Sequence, residues 1–217
     1  IIENSLDSQI KNRLEKKYKN VKVIIPQKNL GLGAGYNLGI KKSKTKYIFL
    51  NNPDIKISIK SISKLISFAK KIKKFGIISP TYDNEKIHKN YSKFDLSINK
   101  NISSVRWIDN NFLIDKSQIK KKIFDEKFFL YFENLDFCLN LYRKNINLYV
   151  LKNIKFKHFG SKSIDMKFNS LVKKTRAWHY NWSKFYYFRK NSGYLYALKK
   201  FVPILFKNFF KIIYYLL

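Results

Sequence analysis

Four glycines crowd one short stretch near the start of the chain: Gly31, Gly33, Gly35 and Gly39. Glycine carries no side chain, so the backbone can turn sharply there or approach a ligand closely. An apolar strand follows at 47–50 and ends in Asn51-Asn-Pro-Asp54. This order predicts a binding surface of backbone atoms for a phosphorylated ligand, next to a carboxylate that can bind a divalent metal. A tight turn before a helix is the alternative for the glycines taken alone.

The spacing of these glycines argues against two common phosphate-binding motifs. It does not reproduce the Gly-x-Gly-x-x-Gly of dinucleotide-binding folds. It also lacks the Gly-Lys-Ser/Thr that a P-loop requires. The glycine stretch therefore belongs to another class of site, or to a structural turn.

Short apolar strands alternate with helical patterns over most of the chain, and this predicts an α/β layer with a largely parallel sheet. The patterns predict helices at 8–18, 35–43, 59–72 and 133–144. They predict strands at 21–25, 47–50, 76–79, 148–151 and 154–156, with paired short strands in 105–114. The polar stretch 82–104 reads as a long loop or lid.

The chain is strongly basic, with 45 Lys and Arg against 14 Asp and Glu and a net charge of +31. Such a charge attracts nucleic acid, anionic lipid or phosphorylated substrates. A coding bias is the alternative explanation, because Lys, Ile, Asn, Phe and Tyr are all abundant while Ala, Gly and Pro are scarce. The lysines are also scattered, which is typical of solvated faces. A content of 45% hydrophobic residues argues against disorder. The single cysteine, Cys138, excludes an internal disulfide and a cysteine-cluster metal site.

Acidic side chains and one histidine are the candidates for chemistry. Asp54 follows a strand, and ligands of open α/β sheets lie beyond the carboxyl ends of strands. It is therefore placed to bind Mg²⁺ or Mn²⁺ through oxygen, although Asn-Pro-Asp also forms ordinary turns. Glu133 and Asp136 share one face at a helix start, where they either serve a reaction or stabilise the helix dipole. His158 follows a strand and is either a ligand or a structural histidine.

The last fifty residues are aromatic and basic. The segment 201–217 is apolar but is interrupted by Lys207 and Lys211, which argues against a membrane span. A helix lying in a membrane interface fits this pattern, and a helix packed on the domain or on a partner is the alternative. The sequence predicts two parts, a domain at 1–165 and a helical extension at 166–217.

Four segments in order along the chain resemble a known family. They are Asn29-Leu-Gly-Leu-Gly-Ala-Gly-Tyr-Asn37-Leu-Gly39, Leu50-Asn-Asn-Pro-Asp54, Phe124-Asp-Glu-Lys-Phe-Phe-Leu-Tyr-Phe-Glu133-Asn-Leu-Asp136-Phe-Cys138 and His158-Phe-Gly-Ser-Lys-Ser163. Over roughly residues 1–163 the chain is similar to family 2 glycosyltransferases, most of all to their rhamnosyltransferase-like branch. The resemblance implies a GT-A fold, a mixed α/β sheet flanked by helices, here without its first strand and helix and with a C-terminal helical extension.

The resemblance also assigns roles to residues. It implies a nucleotide-sugar donor that contacts Asn4, Ser5, Asn29, Gly31, Gly35, Asn37 and Asn52. It places Asp54 and His158 at the divalent metal, Mg²⁺ or Mn²⁺. It places Glu133 and Asp136 at the general base of an inverting transfer, and the family's Glu-Asp pair is replaced by Glu133-Asn134 in this chain. Asparagine cannot accept a proton, so the base falls to Glu133 or Asp136, or the domain binds without catalysis.

We therefore expect a metal-dependent inverting glycosyltransferase that adds a sugar, rhamnose or a similar hexose, to a glycan or lipid-linked acceptor in surface polysaccharide synthesis. The basic surface and the tail predict a cytoplasmic protein at the inner face of the cell membrane. A non-catalytic glycosyltransferase-like domain is the first alternative. A basic nucleic-acid-binding protein with stacking aromatics is the second, and it is disfavoured because no RNA-binding signature is present, so we expect no nucleic-acid partner.

Overall fold

The structure is a computed structural model that describes residues 1–83, 91–92, 96–119, 123–159 and 169–216. The helices are α1 (Ser8–Lys17), α2 (Leu32–Lys42), α3 (Ile59–Lys71), α4 (Glu133–Arg143), α5 (Asn169–Ser192) and α6 (Tyr194–Leu216). The strands are β1 (Tyr47–Leu50), β2 (Ile55–Lys56), β3 (Ile77–Tyr82), β4 (Leu96–Asn99), β5 (Ile102–Val105), β6 (Phe112–Asp115) and β7 (Leu148–His158). The predicted division between residues 165 and 166 lies outside the described residues.

One mixed sheet organises the chain, in the order β1-β6-β3-β7-β5-β4, with β2 paired to β7. Only β3 and β7 run parallel among these pairings, and the others are antiparallel. The mixed α/β sheet with flanking helices is confirmed, but the prediction of a largely parallel sheet is wrong. The reason is that β6 lies between β1 and β3 and runs antiparallel to both. Such a pairing joins segments that are distant in sequence, and local sequence patterns do not encode it.

Three local predictions also need correction. The predicted strand at 21–25 is reduced to an isolated parallel bridge between Ile2 and Ile24. The described part of the predicted loop 82–104 contains the antiparallel pair β4–β5. The two strands predicted at 148–151 and 154–156 are one strand whose pairing with β3 shifts register after Pro80. The helix predicted at 133–144 is confirmed to within one residue.

Apolar residues on the two faces of the sheet form two cores. Ile77 packs on one face with Phe112, Phe124 and Phe137. The next residue of β3, Ile78, points to the other face and packs with Leu65 of α3. Neighbouring strand residues face opposite sides of a sheet, so the strand β3 holds α4 on one side and α3 on the other.

The C-terminal helices pack on each other and on the segment before α4. Phe185 of α5 contacts Tyr194 and Phe201 of α6 through ring edges. The Ser183 hydroxyl of α5 donates to the Leu130 carbonyl at 2.8 Å, and the Tyr186 hydroxyl donates to Asp125 at 2.9 Å. In the part of the chain that the structure describes, no helix combines the length and apolarity needed to cross a membrane.

Gly31 makes the closest backbone contact of the glycine stretch. Its φ is +77°, and a Cβ placed there would lie 2.1 Å from the Phe129 carbonyl oxygen. The same oxygen accepts a hydrogen bond from the Leu32 amide at 2.9 Å. Gly31 therefore allows α2 to begin directly against the segment that leads into α4, and its role here is packing of two chain segments.

We expect Gly31→Ala to destabilise the fold more than Gly193→Ala. Both glycines have positive φ, but a Cβ at Gly193 meets nothing within 4 Å. Strain at Gly193 alone should cost roughly 1–2 kcal/mol, and the clash with Phe129 should add about 2 kcal/mol or more. Thermal unfolding of the two variants measures the difference, and equal losses would contradict the contact.

Candidate functional site

Pairing of β2 with the end of β7 brings Asp54 to His158. Ile55 lies opposite His158 in the ladder, and the Phe159 amide donates to the Asp54 carbonyl at 3.0 Å. The Asp54 Oδ2 atom lies 3.2 Å from the His158 Nε2 atom, and each side chain is 18% exposed. The two predicted metal-site residues, 104 positions apart in sequence, are therefore in contact.

Asp54 has a free oxygen that suits a hard divalent cation. Its Oδ1 atom is buried and has no hydrogen-bond partner among the described residues. Mg²⁺ and Mn²⁺ prefer oxygen ligands, and Mg²⁺ is bound through one or two carboxylates plus substrate phosphates. The described residues contain no group of three or more metal-binding side chains. The donor set therefore fits a cation that completes its coordination with substrate and water.

A chain of polar contacts connects this pair to the glycine helix. The Tyr36 hydroxyl of α2 donates to the Asn52 Oδ1 atom at 2.5 Å. The Asn52 backbone N–H donates to the Asn111 Oδ1 atom at 2.9 Å. The Asn111 Nδ2 atom in turn donates to the Tyr82 hydroxyl at 2.7 Å. The Tyr82 ring stacks on His158 with centroids 4.9 Å apart. Five side chains from five chain segments thus fix one another's positions.

Asn111 is the centre of this chain of contacts. It is 1% exposed and has a left-handed backbone with φ of +64°. Asparagine tolerates this conformation better than most residues. Its side chain accepts from one loop and donates to β3, so the amide serves both neighbours where a carboxylate would lack the donor.

The glycine side of the site is held by asparagine side chains. The Asn4 Nδ2 atom donates to the Gly31 carbonyl at 2.8 Å, and its Oδ1 atom accepts from the Leu30 amide at 3.0 Å. The Asn29 Oδ1 atom accepts from the Gly31 amide at 2.9 Å. Asn4 and Asn29 therefore shape the loop whose backbone the sequence predicted at the ligand.

A groove of about 800 Å³ lies beside this loop. Its lining includes Tyr36 and five of the predicted donor-side residues, which are Asn4, Ser5, Gly31, Gly35 and Asn52. Residues of β1 line it as well, on the edge of that strand away from β6. A volume of this size lies in the range of small-molecule sites, roughly 300–1,000 Å³.

Asn37 lies elsewhere, contrary to expectation. Its Oδ1 atom accepts from the Ile123 and Phe124 amides at 3.2 and 3.1 Å. Its Nδ2 atom donates to the Phe124 carbonyl at 2.9 Å. Its amide is thus committed to the chain before α4, and it does not line the groove. These contacts give Asn37 a structural role, and a donor contact for it stays a prediction.

Glu133 is buried at the start of α4. It is 3% exposed, and its Oε2 atom has no hydrogen-bond partner in the described part of the chain. Burial raises its pKa to about 7, a hydrogen bond from its own backbone amide opposes this, and the charge of Asp109 adds to it. The pKa of the Tyr36 hydroxyl is raised mainly by burial and secondly by the negative charge of Glu133. Glu133 therefore lies close to the groove but is shielded from water.

Asp136 is directed away from Glu133. Its Oδ2 atom forms an ion pair with the Lys190 Nζ atom at 2.7 Å, and its Oδ1 atom accepts from the Asn191 Nδ2 atom at 3.1 Å. Asn140 donates to the same carboxylate at 3.2 Å. Both oxygens thus attach α5 to α4. Helix α5 thus packs on the face that Asp136 presents, and its role as a base stays a prediction.

Asp109 is an acidic residue near the site that was not among the candidates predicted from the sequence. It lies in the connection between β5 and β6 and is exposed. Loss of surrounding water raises the pKa of its carboxyl, and the polar Asn134 side chain opposes that rise. Its only sequence signal was that of a lone acidic residue after the apolar pair Trp107-Ile108.

Comparison with known proteins supports the fold. Residues 7–135, more than half of the chain, match the model of a family described as "Glycosyl transferase family 2". GalNAc-T7, solved with UDP, GalNAc and Mn²⁺, superposes with a TM-score of 0.61 at 13% identity, over 72% of this chain and 36% of that chain. Residues 1–349 of S. aureus TarS superpose with a TM-score of 0.54 at 16% identity, over 72% of this chain and 49% of that chain.

The TarS domain was also solved in complex with UDP. At these identities the similarity shows the fold alone, and the predicted GT-A fold is confirmed. The chain spans about a third to a half of the length of these two proteins. A search of curated proteins found no match.

We expect Glu133→Gln to stabilise the protein at neutral and alkaline pH. The folded-state pKa of Glu133, about 7, lies above its ordinary value of 4.5. The unfolded chain therefore releases this proton first, and the wild type loses stability as pH rises from about 4.5 to about 7. Melting temperatures of the two proteins should diverge over that window and run parallel above it. Glu15→Gln on α1 is the control, and the same divergence there would contradict the assignment.

Proposed function

This chain belongs to glycosyltransferase family 2, and from that premise we propose that it is a metal-dependent inverting glycosyltransferase. The proposed donor is a nucleoside diphosphate sugar, and the proposed product carries the sugar on a glycan or lipid-linked acceptor. The observation that carries the proposal is the contact of Asp54 with His158, with the unpartnered Asp54 Oδ1 atom beside it among the described residues.

Asp54 and His158 are the residues that would hold Mg²⁺ or Mn²⁺. When bound, such a cation neutralises negative charge that develops on a leaving diphosphate. The structure of GalNAc-T7 with UDP, GalNAc and Mn²⁺ is a precedent within the fold. The polar contacts through Asn111 and Tyr82 keep the histidine ring fixed against Asp54. A site of this rigidity favours charge stabilisation without reorganisation during the reaction.

The donor's nucleoside diphosphate would lie in the groove between the glycine loop and β1. Asn4 and Ser5 line one part of it, and Asn52, from the loop that also carries Asp54, lines another. The Tyr36 hydroxyl holds the Asn52 side chain, so the asparagine is oriented before the donor arrives. Rhamnose or a similar hexose is the proposed sugar, on the resemblance of the sequence to the rhamnosyltransferase-like branch.

The reaction needs a carboxylate to accept the proton of the acceptor hydroxyl. The anomeric carbon gains positive charge as the donor bond breaks, and the acceptor oxygen attacks it from the opposite side. Glu133 lies at the start of α4 with its carboxyl buried. We expect it to influence this reaction through its charge near Tyr36 and Asp109.

A lipid-linked acceptor would explain the exposed apolar face of α5. Leu171, Trp178 and Trp182 are 64%, 70% and 48% exposed and fall at positions i, i+7 and i+11 of the helix. Lys173 and Lys174 are exposed near them. Aromatic and aliphatic groups with nearby lysines are typical of helices that lie in an anionic membrane interface. We propose this face as the contact with the inner side of the cell membrane, where surface glycans are built.

Loss of the Asp54 carboxylate should abolish transfer. With full-length protein and a panel of nucleotide sugars, we expect transfer in Mn²⁺ or Mg²⁺ and little after chelation. Asp54→Asn should lower kcat by roughly 100-fold or more, because removing charge stabilisation costs that much. Asp83→Asn, an exposed carboxylate at the end of β3, should leave kcat unchanged. Full activity of Asp54→Asn would refute the site.

Removal of two tryptophans should weaken binding to membranes. We expect Trp178→Ser with Trp182→Ser to reduce binding to vesicles of phosphatidylcholine and phosphatidylserine by about tenfold or more, since both rings are removed from the interface. Ile59→Ser is the control, because Ile59 is 88% exposed but lies on α3. Co-sedimentation measures the binding. Equal binding of all three proteins would show that this face does not contact lipid.

A further inference from the structure

We propose that Asp109 is the catalytic base of this chain, the group that accepts the proton from the acceptor hydroxyl. The inference rests on the proposed glycosyl transfer and identifies the residue that performs one step of it. It replaces Glu133 and Asp136 as candidates and assigns to Asn134 the role of a positioning residue.

Access separates the three acidic candidates. A base must touch an acceptor that enters from solvent. Glu133 and Asp136 are 3% and 1% exposed, whereas Asp109 is exposed. The Asp136 carboxylate is also bound by Lys190 and Asn191. Among the acidic residues compared in this part of the structure, Asp109 is therefore the one whose carboxylate an acceptor can reach.

Asn134 lies beside the loop that carries Asp109. Asn134 is 4% exposed and follows Glu133 on the first turn of α4. Its Nδ2 atom donates at 2.8 Å to the Oδ1 atom of Asn110, the residue next to Asp109. Burial raises the pKa of the Asp109 carboxyl, and the polar Asn134 side chain opposes that rise. Position 134 cannot itself take a proton, but it directs a neighbour that can. The base is thus displaced from the helix to the loop that faces it.

A second observation marks this place as a site. The Glu133 Oε2 and Asn134 Oδ1 atoms are both buried, and neither has a hydrogen-bond partner among the described residues. Unpaired buried polar atoms are rare in folded proteins. Both residues lie on the first turn of α4, next to the loop that carries Asp109, to which Asn134 is hydrogen-bonded through Asn110.

The charges around Asp109 suit its position opposite the donor. Tyr82, whose ring stacks on His158, and Tyr36, which lines the groove, both lie near Asp109. The Asp109 carboxylate acts on the hydroxyls of Tyr36 and Tyr82. Asp109 is therefore within electrostatic range of both halves of the proposed donor site, the metal pair and the groove.

The proposed step is balanced in atoms and electrons. The O–H bond of the acceptor breaks, and its proton moves to a carboxylate oxygen of Asp109. The oxygen's electron pair forms the new bond to the anomeric carbon. The bond from that carbon to the diphosphate breaks, and its electron pair leaves on the phosphate oxygen.

The test moves the carboxylate between neighbouring positions in full-length protein. We expect Asp109→Asn to lower kcat for transfer by roughly 100-fold or more, which is the contribution of a general base. Its affinity for the nucleoside diphosphate with Mn²⁺ should stay within twofold of wild type. Adding Asn134→Asp to Asp109→Asn should recover at least tenfold of the lost kcat, because the carboxylate returns to a position in contact with residue 109.

The outcomes separate this inference from the proposed function. A wild-type protein that transfers no sugar from any donor would overturn both. A wild type that transfers, together with an equally active Asp109→Asn, would overturn Asp109 alone. A parallel loss of nucleotide affinity, or no recovery in the double variant, would show a structural role and would also overturn it. Asp83→Asn is the matched control throughout.

Discussion

The contact between Gly31 and Phe129 is the constraint on which the rest of the site depends. A backbone packed against a backbone leaves no room for any side chain, and the Leu32 amide uses the same Phe129 carbonyl. On one side of this contact α2 presents Tyr36 to the groove. On the other side the chain enters α4 and buries Glu133. The packing of Gly31 on Phe129 therefore fixes the position of α2, on the donor side of the proposed reaction, relative to α4, on the acceptor side.

The helices were predictable from sequence, whereas the order of the strands was not. Helix α3 carries its signals locally, because the Ser58 side chain caps its first turn and Leu65 and Ala69 repeat on its buried face. Strand pairing joins distant segments, and nothing within β6 shows that it will enter between β1 and β3. The pair β4–β5 was missed because both strands are short and β4 is exposed, so neither shows a clear apolar alternation.

The contact of Asp54 with His158 was predictable from the resemblance, which places both residues at one metal, and the structure brings the two side chains together. Asn111 and Tyr82 gave no signal, because buried amides and tyrosines are common and their contacts depend on the tertiary fold. The surroundings of Asp136 were not predictable, because helical spacing defines a face of the helix but not the element that packs on it. Only the packing of α5 shows that Lys190 neutralises it.

The register shift in β7 has a consequence for how this chain can vary. Pro80 pairs with Leu151, but the next residue of β3 pairs with Lys155. Residues 152–154 thus form a spacer of fixed length between the core half of β7 and its end. Because side chains alternate along a strand, deleting one residue there would put Phe159 opposite Ile55 in place of His158. The length of this spacer therefore determines which residue of β7 reaches Asp54.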